Sequence, residues 1–187
     1  MKVKALLFCM MTVVASLSSQ ASPLPVEARS ARQSVVDTQD EREMLARDLA
    51  AQLAEIKSSK EVARYLSKQG RQETPFSPLS AGARQRFIQS LRFSEKGLAS
   101  YDYRDLRNEL TATEIYRLLS LFGAEGSVFA IPDMKAESAT DELIIMQGKL
   151  DRSGEMMRAP TDYEGYACIS RASCAKAADH ICIGSSC

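Results

Sequence analysis

Four cysteines crowd the last twenty residues, spaced Cys168-x5-Cys174-x7-Cys182-x4-Cys187, and the only histidine, His180, stands among them. Thiols in this number support two kinds of chemistry, disulfide cross-linking or thiolate coordination of a metal. The paired C-x2–4-C knuckles of zinc domains are missing, and His180-x-Cys182 alone supplies only two neighbouring ligands. No C-x-x-C redox pair occurs either. The spacing therefore predicts structural disulfides, with no metal and no other cofactor.

Four cysteines allow three pairings. Ser173 to Cys182 is rich in helix formers. On a helix Cys174 and Cys182 would stand about 12 Å apart along the axis, too far to bond. The expected pairing is Cys168–Cys182 with Cys174–Cys187, which ties an incoming segment and the final residue to one short helix. Cys168–Cys174 with Cys182–Cys187 is the remaining choice. Each closure stabilises by about 2–4 kcal/mol on the loop-entropy account. That is comparable to what Ile169, Ile181 and Ile183 can contribute by burial.

Catalytic chemistry finds little support. Any Ser-His-Asp or Cys-His mechanism must pass through His180, and adjacent Asp179 points elsewhere if both lie on a helix. Nucleophile elbows, phosphate-binding loops, H-E-x-x-H, calcium loops and dinucleotide glycine patterns are all missing. Acid pairs such as Asp102 with Asp105, or Glu109 with Glu114, sit among arginines in ordinary helix-surface settings. No catalytic residue is assigned. Four tyrosines, Tyr101, Tyr103, Tyr163 and Tyr166, are the candidate contact residues, since a phenol joins apolar area to a polar tip.

The other end of the chain sets the compartment. Lys2 and Lys4 precede an apolar run from Ala5 to Ala15, and Ser19-Gln20-Ala21 offers the small residues a signal peptidase requires. Cys9 lies inside the apolar run and leaves with it. Removal of residues 1–21 leaves 22 basic against 24 acidic residues, a net charge of −2. The signs are interleaved, so no basic stripe for nucleic acid or anionic membrane exists. No later apolar run is long enough to span a bilayer. The expectation is a periplasmic or secreted protein, oxidised at its cysteines.

Helix-start signals organise the middle of the chain. Thr38-Gln39-Asp40-Glu41, Ser58-Ser59-Lys60-Glu61 and Thr111-Ala112-Thr113-Glu114 are capping boxes, and Ser80 can cap a further helix. Leu45, Leu49, Leu53 and Ile56 follow the first box as one apolar stripe suited to a core. Gly123 closes the helix that starts at Thr111. Val128 to Ile131 suits a short strand, and Leu98–Tyr103 fits either a strand or a loop. Asp141 to Gln147 reads as a short helix ending at Gly148, though Leu143–Met146 equally fits a buried strand.

The predicted fold is mainly α: a small helical domain with a short disulfide-stapled C-terminal tail and at most one or two short strands. Its divisions are a signal peptide at 1–21, a leader at 22–37, the helical domain at 38–148, a connector at 149–165 and the tail at 166–187. The function expected is non-catalytic, an exported binding or accessory protein whose partner is another protein. The alternative is a secreted hydrolase or effector whose active site has no recognisable motif.

Overall fold

The computed structural model describes residues 41–69, 73–153 and 162–187. The expected signal segment and leader, residues 38–40 of the first capping box and part of the expected connector lie outside the described residues.

Helix α1 runs through 41–53 and α2 through Ser59–Gln69. Ser58 starts α2 as expected: its hydroxyl accepts from the Glu61 amide at 3.4 Å, while the Glu61 carboxylate accepts from the Lys57 amide at 2.7 Å. Helix α3 spans Ala81–Ser90 and is capped by Ser80. A hairpin of β1, Arg92–Ser94, and β2, Gly97–Asp102, follows. Helix α4 spans Arg104–Glu109, and α5, Ala112–Ser120, opens on the complete Thr111–Glu114 capping box. Gly123 then takes φ +62° and the Ala124 amide reaches back to the Leu119 carbonyl, so α5 is closed by a left-handed glycine.

Val128 to Ile131 does not form a strand. Residues Glu125–Ala130 wind into a 3-10 helix. Helix α6 runs Ala139–Ser153 and passes straight through Gly148, so Leu143–Met146 is helical. A glycine inside a helix costs only about 1 kcal/mol, too little to end one that continues on both sides.

The larger correction concerns the tail. Residues Asp162–Ser170 and Ser173–Ile183 are strands β3 and β4, and the four strands form one antiparallel sheet in the order β1-β2-β4-β3. The protein is therefore a mixed helix-and-sheet structure and not a mainly α domain with a small appendage. Strand β4 sits inside the sheet, with β2 on one side and β3 on the other. Its Ile181 and Ile183 belong to the main core. Helix propensity in Ser173–Cys182 is a preference of tenths of a kcal/mol per residue, whereas backbone pairing on two edges and core burial act together on the same segment.

The core gathers Tyr65, Phe76, Phe87, Phe93, Tyr101 and Phe122 into a chain of tilted and edge-on rings with centroids 6.0–6.3 Å apart. Strand β2 is buried along nearly its whole length. A strand covered on both faces has no reason to alternate, which is why Leu98–Tyr103 carries so faint a strand pattern.

Candidate functional site

Helix α1 turns the expected apolar stripe the wrong way round. Only Ile56, just beyond its end, is in the core; Leu45, Leu49 and Leu53 are 69, 52 and 76 % exposed. Met44 lies outward beside them. The inner face is instead built from Arg47 and small residues. A Cβ on Gly123 would lie 2.7 Å from the Ala51 Cα and closer still to the Ala50 carbonyl, so the backbones of α1 and the α5 terminus touch directly. Gly126 faces the Arg47 guanidinium in the same way, its hypothetical Cβ 3.3 Å from the Arg47 Cζ.

One ion pair fixes this orientation. Arg47 Nη1 donates to Asp162 Oδ2 at 2.6 Å, and its Nε and Nη2 reach Glu43 Oε1 at 3.3 Å. The contact joins α1 to the first residue of β3. Burial pushes the Asp162 carboxyl above its ordinary value even against the facing guanidinium, and its Oδ1 is buried without a partner. Burial also opposes the Arg47 cation, yet the two carboxylates around it hold its pKa above the usual arginine value. Nearby, the buried Tyr101 phenol is 2.9 Å from the Ser127 hydroxyl, which donates to the Ala124 carbonyl.

A cavity of about 850 Å³ lies against α1. Leu98, Phe122, Phe129 and Ile183 supply its apolar lining, and Asp48, Lys57, Glu95 and Lys96 add charges of both signs. Its size is that of a ligand pocket. Lys96 Nζ donates to the Ser185 carbonyl at 3.1 Å and Ser94 Oγ to the Ser186 carbonyl at 2.5 Å, so the β1–β2 turn is tied to the last residues described.

The residues singled out by sequence are dispersed. Tyr101 and Tyr103 are core residues, and burial removes both from any contact surface. Tyr103 donates to Glu164 at 2.9 Å, and burial raises the phenol pKa of both tyrosines. Tyr163 is exposed and Tyr166 half-buried on β3, away from the cavity lining. His180 does not line the cavity; its Nδ1 donates to the Ala178 carbonyl at 2.8 Å.

The acids have structural partners. Asp102 pairs with Arg104 at 3.0 Å, and Asp105 takes both arms of the Arg86 guanidinium at 2.8 and 2.9 Å. Glu109 accepts from the Ser80 amide and hydroxyl, and Glu114 completes its capping box. Asp179 pairs with Arg104 at 3.2 Å and lies 3.9 Å from Arg107.

The cysteines form two disulfides, but not in the expected pairing. Cys168 bonds to Cys187 and Cys174 to Cys182, with Cα separations of 5.7 and 6.3 Å. The Cys174–Cys182 bond is the one that a helix would forbid. A straight strand would forbid it too, since eight residues extend about 26 Å. It forms because β4 leaves the β3 ladder. Ile181 faces Glu164 and Lys176 faces Tyr166, so residues 177–180 leave the β3 ladder opposite Gly165, while His180 stays paired with Asp102 of β2. Gly165 and Asp179 take φ +78° and +58° at this excursion. The Asp179 carbonyl accepts from the Tyr103 amide at 2.8 Å, anchoring the loop to the end of β2.

No protein-family model matches this chain, and no curated protein or solved structure matches it either. Sequence reasoning missed the inner face of α1. A signal was present in the small residues at 46, 50 and 51 and the glycines at 97, 123 and 126, which together permit close backbone approach.

Proposed function

We propose that this is an exported, non-catalytic binding protein that engages a protein partner through the outer face of α1 and the adjoining mouth of the cavity. The observation that carries the reading is the outward row of Leu45, Leu49 and Leu53. Three leucines at one-turn spacing, on a helix locked by its opposite face, present an apolar ridge to water. Such ridges are retained where another apolar surface covers them, and an amphipathic segment laid alongside is the common mode. The signal-like residues 1–21 and the two disulfides support export, and no helix among the described residues is long and apolar enough to cross a membrane. Asp102, Asp105, Glu109, Glu114 and Asp179 act as caps and ion-pair partners, which supports binding over hydrolysis.

The test is capture from envelope extract and culture fluid, with native protein beside a Leu45→Asp, Leu49→Asp double variant. The expected result is a partner retained by native protein and lost by the variant, with the variant's circular dichroism and Tm unchanged. Equal capture by both would refute this face. Self-association seen by sedimentation and abolished by the same variant would replace the protein partner with a second copy.

A further inference from the structure

The two disulfides are not independent. The Sγ atoms of Cys168, Cys182 and Cys187, drawn from both bonds, all lie within 4.8 Å of one another. Cys174 is bonded to Cys182 and faces Cys168 directly across the β3–β4 ladder. Residues 183–187 fold back in a tight turn, with the Cys187 amide bonded to the Ile183 carbonyl at 2.8 Å, and this returns Cys187 to Cys182. The Ala172 amide holds the Cys187 carbonyl at 2.7 Å from the other side. Each cysteine therefore has a second cysteine beside it besides the one it is bonded to. Cys182 is fully buried, whereas Cys168 and Cys174 are partly open.

We propose that these four cysteines make one thiol-exchange site, at which an external monothiol converts Cys168–Cys187 with Cys174–Cys182 into Cys168–Cys174 with Cys182–Cys187. The incoming thiolate attacks Cys168 Sγ, forming a mixed disulfide and expelling the Cys187 thiolate. Cys187 attacks the neighbouring Cys182 Sγ, forming Cys182–Cys187 and expelling the Cys174 thiolate. Cys174 then attacks Cys168 across the ladder and returns the external thiol. Three S–S bonds form and three break, and no net oxidation occurs. Each step needs only a thiolate beside a disulfide. The consequence is local and specific. The Cys174–Cys182 bond closes the base of the 177–180 excursion, so its loss leaves that segment held by the pairing of His180 with Asp102 of β2 and by the Asp179 contacts to Tyr103, Arg104 and Arg107.

Peptide mapping tests this on the whole exported protein. Glutathione at catalytic amounts and pH 8 is the probe; free thiols are then capped with N-ethylmaleimide before trypsin digestion at pH 6.5. Cleavage after Arg158, Arg171 and Lys176 yields peptides 159–171, 172–176 and 177–187. The starting pairing links all three. The exchanged pairing gives 159–171 joined to 172–176, and 177–187 bridged within itself. Loss of the three-peptide species into those two products, only when thiol is present, is the expected result. Persistence of the three-peptide species, conversion to the third pairing on fragmentation, or release of capped thiols alone would overturn the proposal. A Cys174→Ser variant gives a second reading, because it leaves Cys182 free beside Cys168–Cys187. Alkylation is then expected at Cys168 as well as Cys182, and label on Cys182 alone counts against exchange.

Discussion

Replacing Arg47 with alanine should release α1 and expose how unequal the two ends of its ion pair are. The Arg47 side chain is 16 % exposed and that of Asp162 4 %. Removing the cation leaves a carboxylate that water cannot reach and that already has one unpartnered oxygen. Breaking a buried pair in this way costs about 3–5 kcal/mol, and the partial exposure of Arg47 places Arg47→Ala near the lower end, about 3 kcal/mol. Asp162→Ala should cost about 1 kcal/mol, because Arg47 keeps Glu43 and an opening to solvent through the cavity. The double variant should then be more stable than Arg47→Ala alone. The pH dependence has a definite sign. Burial raises the folded-state pKa of Asp162, so the native state holds its proton above the ordinary carboxyl range while the unfolded chain loses it. Stability from this group falls as pH rises through that window, and more steeply once Arg47 is gone. Arg47→Ala should accordingly lose less stability at pH 4.5 than at pH 7.5. Urea denaturation followed by circular dichroism measures all of these, and hydrogen exchange over 41–53 reports whether α1 opens first. Equal costs for the two single variants, or no change in cost with pH, would refute the reasoning.

Asp141 carries the opposite pH signature. Burial disfavours its charge, but hydrogen bonds from the Thr113 and Glu137 amides and the Ser138 hydroxyl overcome this and hold its pKa well below the carboxylate range. Its stabilisation is complete above the unfolded-state value and is lost only as pH falls through the depressed folded-state value, so Asp141→Asn should cost about 2–3 kcal/mol at pH 7 and progressively less below pH 4, by urea denaturation. Gly123→Ala should destabilise by more than 2 kcal/mol or shift α1, visible as raised hydrogen exchange over 41–53, because φ is positive there and Ala50 leaves no room. Thr111→Ala removes the cap of α5 and should lower stability by about 1 kcal/mol at neutral pH, measured the same way.

Local signals proved legible wherever the physics is local. Ser58, Ser80, Thr111 and Gly123 all sit at the helix ends their chemistry implies, since a cap is a bond between residues three to five apart. The α1 stripe shows the limit of periodicity. Leucines at 45, 49 and 53 mark an apolar face correctly, but a period says nothing about what that face meets. The orientation was decided by Gly123, Gly126 and Asp162, which lie some 70 to 115 residues away in the chain. The cavity was invisible for the same reason, because its lining joins α1, the β1–β2 turn and the final serines.

The sequence by itself determined the presence of four C-terminal cysteines, the starts of α2, α3 and α5 and a balanced charge without a basic stripe. Only the tertiary structure decided that Ser173–Ile183 is a strand, that Cys174 reaches Cys182, and that Tyr101 and Tyr103 are core. Propensity along Ser173–Cys182 favours helix weakly, residue by residue. Pairing with β2, pairing with β3 and burial of Ile181 and Ile183 are long-range terms that act together. Where a weak local preference meets several cooperative distant contacts, the distant contacts set the structure, and no window of sequence contains them.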